Sequence, residues 1–208
     1  DGGGAYITNS SGYTASINST TFINNSSNQS PWSSGGGLRI NSGGTKIKNS
    51  SFISNQAAYG GGITIGGGSP TDYDFTIERT KFTQNKGGEG GAIWKRPTEI
   101  NLTLSNCIID HTVASSYIKF DDSWLNTENT LNLNHCTFAY NSGSIEISEA
   151  QLTATNSIFW NNGEDEFEDN ANGSEMNLQN CLVSDGFAGD YIIDADPLFI
   201  DEFQLIPT

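Results

Sequence analysis

The chain has 208 residues, with 24 acidic and 9 basic side chains and a net charge of −15. That balance excludes a general nucleic-acid binder, which needs basic patches to neutralise phosphates. No apolar run approaches the roughly 20 residues of a membrane-spanning helix. Apolar residues make up only 35%, yet 11% aromatics and a strong internal periodicity point to a packed core rather than a disordered chain.

The opening, Asp1-Gly2-Gly3-Gly4-Ala5-Tyr6, reads as the middle of a repeat with no signal peptide before it. The expectation is therefore one domain over 1–208 that belongs to a longer protein. The pattern F-x-x-N follows at Phe22–Asn25, Phe52–Asn55, Phe82–Asn85, Phe138–Asn141 and Phe159–Asn162. Ile109 and Val183 stand in the same register, and the seven anchors are spaced by 30, 30, 27, 29, 21 and 24 residues. Seven and five residues before each anchor the chain is mostly apolar with polar residues between, as at Phe75 and Ile77 or Leu131 and Leu133. That is the period of a strand with one buried face. Two residues before each anchor stands Thr, Ser or Cys, a small group for a tight interior. Three residues before it stand Ser19, Asn49, Arg79, Asn106, His135, Asn156 and Asn180. An Asn-rich column at this position predicts a bend in left-handed conformation and, between stacked coils, an amide ladder.

Glycine pairs follow the anchors at Gly36-Gly37, Gly61-Gly62 and Gly90-Gly91, with Gly143 in the same role, and predict tight turns with positive φ before the next strand. Repeats of this length with one strand per face specify an all-β fold, a right-handed parallel β-helix (solenoid) of about seven coils. A leucine-rich repeat has a similar length, but its L-x-x-L-x-L pattern is missing. The segments Asn24–Ser34 and Gly66–Tyr73 are predicted to be loops bulging from the side.

Gly90-Gly91-Ala92-Ile93 together with Phe82–Asn85 resembles the paired motifs of the chlamydial polymorphic outer-membrane proteins. The stretch Asp194–Asp201 followed by Phe203-Gln204-Leu205 is similar to the last coil of secreted bacterial β-helix repeat proteins. The resemblance implies a bacterial, extracellular or cell-surface setting and an adhesive role. Its implied partners are surface glycans or proteins and further coils of a parent chain. It does not imply an activity, because fold alone does not set function.

Candidate chemistry is sparse. Right-handed β-helices also host polysaccharide lyases and hydrolases, so a polysaccharide-degrading or glycan-binding domain is the alternative reading. Asp121 and Asp122 form the best carboxylate pair for acid–base work. The His-Gly element of the hydrolases is missing, since His111 precedes Thr112 and His135 precedes Cys136. Lys46, Lys48, Arg79 and Lys81 lie in adjacent coils and are expected to form a basic strip. All nine basic residues lie at or before Lys119, and seventeen acidic residues follow it. The densest acidic run nominates Asp165, Glu166, Glu168 and Asp169 as weak calcium ligands. Trp32, Trp94, Trp124 and Trp160 fall near strand ends or loops, where rings cover an edge or stack on sugars. Cys107, Cys136 and Cys181 share the inward position two residues before their anchors and are expected to be buried free thiols.

Overall fold

The structure is a computed structural model, and it describes residues 2–8, 14–27, 31–41, 44–66, 73–98, 100–121, 129–163, 165–170, 173–200 and 204–205. It is an all-β parallel solenoid with three sheets of seven strands each. The first sheet runs from Ala5–Thr8 through Leu38–Asn41, Ile63–Ile65, Ile93–Lys95, Ser116–Asp121 and Ser144–Ser148 to Phe167–Asp169. The second runs from Ala15–Asn18 to Glu175–Gln179 and the third from Thr21–Ile23 to Leu182–Val183. Five strands of each sheet have neighbours on both sides, so the rod has about five full turns with a terminal strand per face at either end, not seven full coils.

The predicted register holds. Ile17, Ile47 and Ile77 pair in succession, as do Leu104, Leu133, Ala154 and Leu178. The anchors Phe22, Phe52, Phe82, Ile109, Phe138, Phe159 and Val183 form one inward column. Its rings stack at 4.8 Å between Phe22 and Phe52, 4.9 Å between Phe52 and Phe82, and 4.9 Å between Phe138 and Phe159. Offset stacking of this kind adds to the burial of the rings themselves.

Two corners bracket each three-residue strand of the third sheet. Every residue three before an anchor has positive φ, from Ser19 at 52° to Asn180 at 53°, as expected of the Asn-rich column. A second left-handed corner, not anticipated, lies two residues after each anchor: Asn24, Ser54, Gln84, His111, Tyr140, Asn161 and Asp185.

The amide ladder is real, but it lies elsewhere. It is built from the Asn of F-x-x-N, because that side chain points inward while the corner residues lie toward solvent. Asn55 Oδ1 accepts from the Asn25 backbone N–H at 3.0 Å and from its Nδ2 at 2.9 Å. Asn55 Nδ2 donates back to the Phe22 carbonyl at 2.9 Å. Asn85 repeats this for Asn55 and Phe52, and Asn162 repeats it for Asn141 and Phe138. Each side chain thus satisfies three groups, partly buried at the first rung and buried at the inner ones.

The glycine corners are also more specific than predicted. Positive φ falls on Gly35, Gly60, Gly90 and Gly143. Gly36 and Gly61 are instead required by backbone proximity: a Cβ on Gly36 would lie 2.3 Å from the Gly61 carbonyl oxygen. The expected loop Asn24–Ser34 contains a short strand, Ser26–Ser27, paired with Gln56–Ala57. Within the second expected loop, 67–72 lies outside the described residues, and Tyr73 already begins the strand Tyr73–Glu78.

The three cysteines are buried and free, as predicted. Each sulfur turns to backbone carbonyls, Cys107 to Ser105 at 3.4 Å and Cys136 to Asn134 at 3.4 Å. A hydrogen bond with Cys136, together with burial, holds the Cys107 thiol far above the usual range, and burial pushes Cys181 up as well.

Candidate functional site

The outward middle position of the first sheet runs Tyr6, Arg39, Thr64, Trp94, Lys119, Glu146, Glu168 along the rod. Beside it, where the chain enters each glycine corner, Ser34, Tyr59 and Glu89 pair in successive coils. The two columns meet in a cleft of about 480 Å³ lined by Trp32, Ser34, Arg39, Tyr59, Glu89, Trp94 and Arg96. Its size falls in the range of about 300–1,000 Å³ usual for small-molecule sites.

The cleft has an aromatic spine. Tyr59 lies 4.5 Å from Trp94 and 6.3 Å from Trp32, with Trp32 and Tyr59 only 8° from parallel. Trp32 is 76% exposed. The Arg96 guanidinium sits 5.5 Å from the Trp94 ring and has no ion pair among the described residues. Arg39 donates from Nε to Asn41 at 3.0 Å and from Nη1 to Ser34 at 2.8 Å, which fixes its plane. Glu89, the one carboxylate among the described residues of the cleft, is held 3.1 Å from Lys119. Lys119 also lies 2.6 Å from Glu146, and these two carboxylates keep it protonated above its ordinary value against the opposing effect of its partial burial.

The acidic end of the rod is organised differently. Glu166 is turned inward and caps the asparagine ladder, accepting from Asn162 Nδ2 at 2.7 Å and from Ser184 Oγ at 2.6 Å. Burial raises its carboxyl above the ordinary value, in part offset by those two donors. Asp169 accepts from the Ser174 backbone N–H at 3.2 Å, and Glu168 continues the outward column beside Glu146. No three His, Cys, Asp or Glu side chains converge as a cation site among the described residues.

Asp121 ends its strand, and its carbonyl accepts from the buried Lys95 Nζ at 3.5 Å. Asp122 lies outside the described residues, as does Trp124. The predicted basic strip is not a strip of free cations. Glu78 is ion-paired to both Lys48, at 2.7 Å, and Arg79. Lys81 reaches Asp110 at 3.5 Å. Asp110 is itself buried, accepts from Thr83 Oγ1, and lies 3.2 Å from His111 Nδ1, with the Tyr140 ring 5.6 Å from the His111 ring.

Tyr59, Arg39 and Arg96 were not singled out from the sequence. The signal was there. Ser34, Tyr59 and Glu89 each immediately precede the positive-φ glycine of their corner, and Arg39, Thr64 and Trp94 each stand four residues after it. Aligning the coils on that glycine, rather than on the Phe anchor, brings the cleft residues together.

No protein-family model, curated protein or solved structure matches the chain. The resemblance to secreted β-helix proteins therefore rests on the quoted motifs alone.

Proposed function

We propose that the chain is a rigid, non-enzymatic segment of an extracellular or cell-surface protein of bacterial type, acting in adhesion, display or extracellular assembly. The observation that carries this reading is the composition of the flank cleft. Among the described residues it joins stacked aromatic rings to a guanidinium with no ion pair, while Glu89 is tied to Lys119. Such a surface suits holding a ligand by stacking and charge, and among the described residues its carboxylate faces an ammonium rather than a second carboxylate or an imidazole. The stacked phenylalanines and the asparagine ladder favour the same role, because a rod with a repeating bonded interior presents its flank with little internal give.

A polysaccharide-degrading enzyme is the second reading. What favours it is the grouping of Lys81, Asp110 and His111 on the outside of the third sheet, where a buried carboxylate orients an exposed imidazole.

The adhesive reading is tested by coating beads with the purified chain and washing them over panels of immobilised glycans and extracellular proteins. Retention on a defined subset is expected. Beads retained on none of the panels contradict an adhesive role.

A further inference from the structure

Resting on the reading of the chain as a non-catalytic binding rod, we propose that the flank cleft is a site for a carboxylated sugar, a hexuronate or an equivalent unit within an acidic glycan.

The aromatic part selects a ring with an apolar face. Trp32 closes the outer end of the stack and stays mostly exposed, so a pyranose laid against it removes apolar surface of both partners from water. Tyr59 and Trp94 behind it hold the Trp32 plane across successive coils.

The charged part selects an anion. Arg96 is over the Trp94 face with no ion pair among the described residues, and Arg39 keeps its Nη2 without a protein partner there. A guanidinium fork matches a carboxylate in two parallel hydrogen bonds. Glu89 shares the Lys119 ammonium with Glu146, so those two carboxylates set against Arg39, Arg96 and Lys119 still leave the charge around the cleft positive among the described residues.

The chain's net charge does not defeat the site. The acidic segment Asp165–Asp169 lies three strands beyond Trp94 in the first sheet, about 14 Å along the axis. That exceeds the Debye length of about 8 Å at physiological salt, so the acidic end is largely screened from the cleft. An acidic glycan with one carboxylate per sugar also meets less repulsion from the rod than a nucleic acid, which carries a charge about every 1.7 Å.

The test is calorimetric titration of the full chain with an oligohexuronate of six units, its methyl ester, a neutral oligoglucose of equal length and a sulfated oligosaccharide. The acid form is expected to bind, with the ester and the neutral chain at least tenfold weaker. Trp32→Ala, at an exposed position, and Arg96→Gln, at a half-buried one, are each expected to weaken the acid form at least tenfold at an unchanged melting temperature. Equal binding of acid and ester, or of acid and sulfated chains, overturns the carboxylate assignment. No binding of the acid form, or binding that survives both substitutions, overturns the site. Cleavage of a bound oligomer instead overturns the non-catalytic reading and leaves the site standing, whereas beads that still adhere when the oligomers do not bind leave the rod reading standing and remove the site.

Discussion

The ring of Tyr117 lies 5.8 Å from that of Phe138, on the coil where Ile109 interrupts the phenylalanine column. Tyr117 is the extra residue of a β-bulge between Ser116 and Ile118, and it is fully buried. Tyr117 immediately precedes Ile118, which pairs with Ile93 as Ile93 pairs with Ile63, so it occupies the corner position that Gly62 and Ala92 fill in the coils before it. At Gly62 an added Cβ would lie 3.1 Å from the Phe82 ring. The coils with a large anchor, Phe52 and Phe82, carry the small Gly62 and Ala92 at this corner, whereas the coil with the smaller anchor Ile109 carries Tyr117.

This exchange predicts a coupling. Ile109→Phe alone overfills the coil and is expected to destabilise by about 1–3 kcal/mol. Combined with Tyr117→Gly, which vacates the corner, it is expected to recover most of that loss. Urea denaturation of the two single variants and the double variant measures the coupling, and strictly additive losses contradict it. The Tyr117 hydroxyl is buried without a hydrogen-bond partner among the described residues, so Tyr117→Phe is expected to be neutral or stabilising.

The asparagine ladder gives a second expectation. Asn85→Ala strips the buried Asn55 backbone N–H of its acceptor, takes one acceptor from the Asn55 amide and one donor from the Phe52 carbonyl, and leaves a cavity in the core. A loss of about 3 kcal/mol or more is expected, since each stranded buried group costs about 1–3 kcal/mol. Asn85→Asp keeps the acceptor but loses the donor to Phe52 and brings a buried charge, so it is expected to be no better. The same urea experiment reads both.

Glu166 makes stability depend on pH. Burial raises its carboxyl in the folded chain above the ordinary value of 4.5 that it regains on unfolding. The folded state therefore holds this proton more tightly. Its contribution is fully present below pH 4.5 and is lost as the pH rises from there through the raised value. Glu166→Gln is expected to flatten that decline and to melt no lower than the parent at pH 7. Melting curves from pH 4 to pH 8 measure it, and an unchanged slope removes Glu166 as its cause. Millimolar calcium is expected to leave the melting temperature unchanged, because Glu166 and Asp169 already face protein donors.

The free cysteines predict that thiol reagents label almost nothing in the folded chain and three groups after denaturation without reductant. A single reactive group on unfolding means that Cys107 and Cys136 are bonded.

The solenoid was legible in the sequence because stacking forces like residues over like. Phe, Leu and Ile at fixed distances reveal a buried column whichever coil carries them. The ladder was misassigned because Asn serves two ends here: at Asn49 and Asn156 it tolerates a left-handed corner, and at Asn55 and Asn85 it bonds buried backbone. Composition alone does not separate those uses. The cleft was only half legible. Trp32 and Trp94 were noted, but Tyr59, Arg39 and Arg96 join them through coil-to-coil pairing across 25 to 30 residues, and a register anchored on Phe drifts at the corner where loop lengths differ. Bulged Tyr117 shows the same drift within a single strand.

The most direct test of binding without chemistry follows the chain length of an acidic polysaccharide during prolonged incubation with the protein, by viscosity and by new reducing or unsaturated ends. The account predicts polymer that is retained by the protein and unchanged in length. Shortening that disappears in His111→Ala contradicts it and makes the chain an enzyme acting through Asp110 and His111.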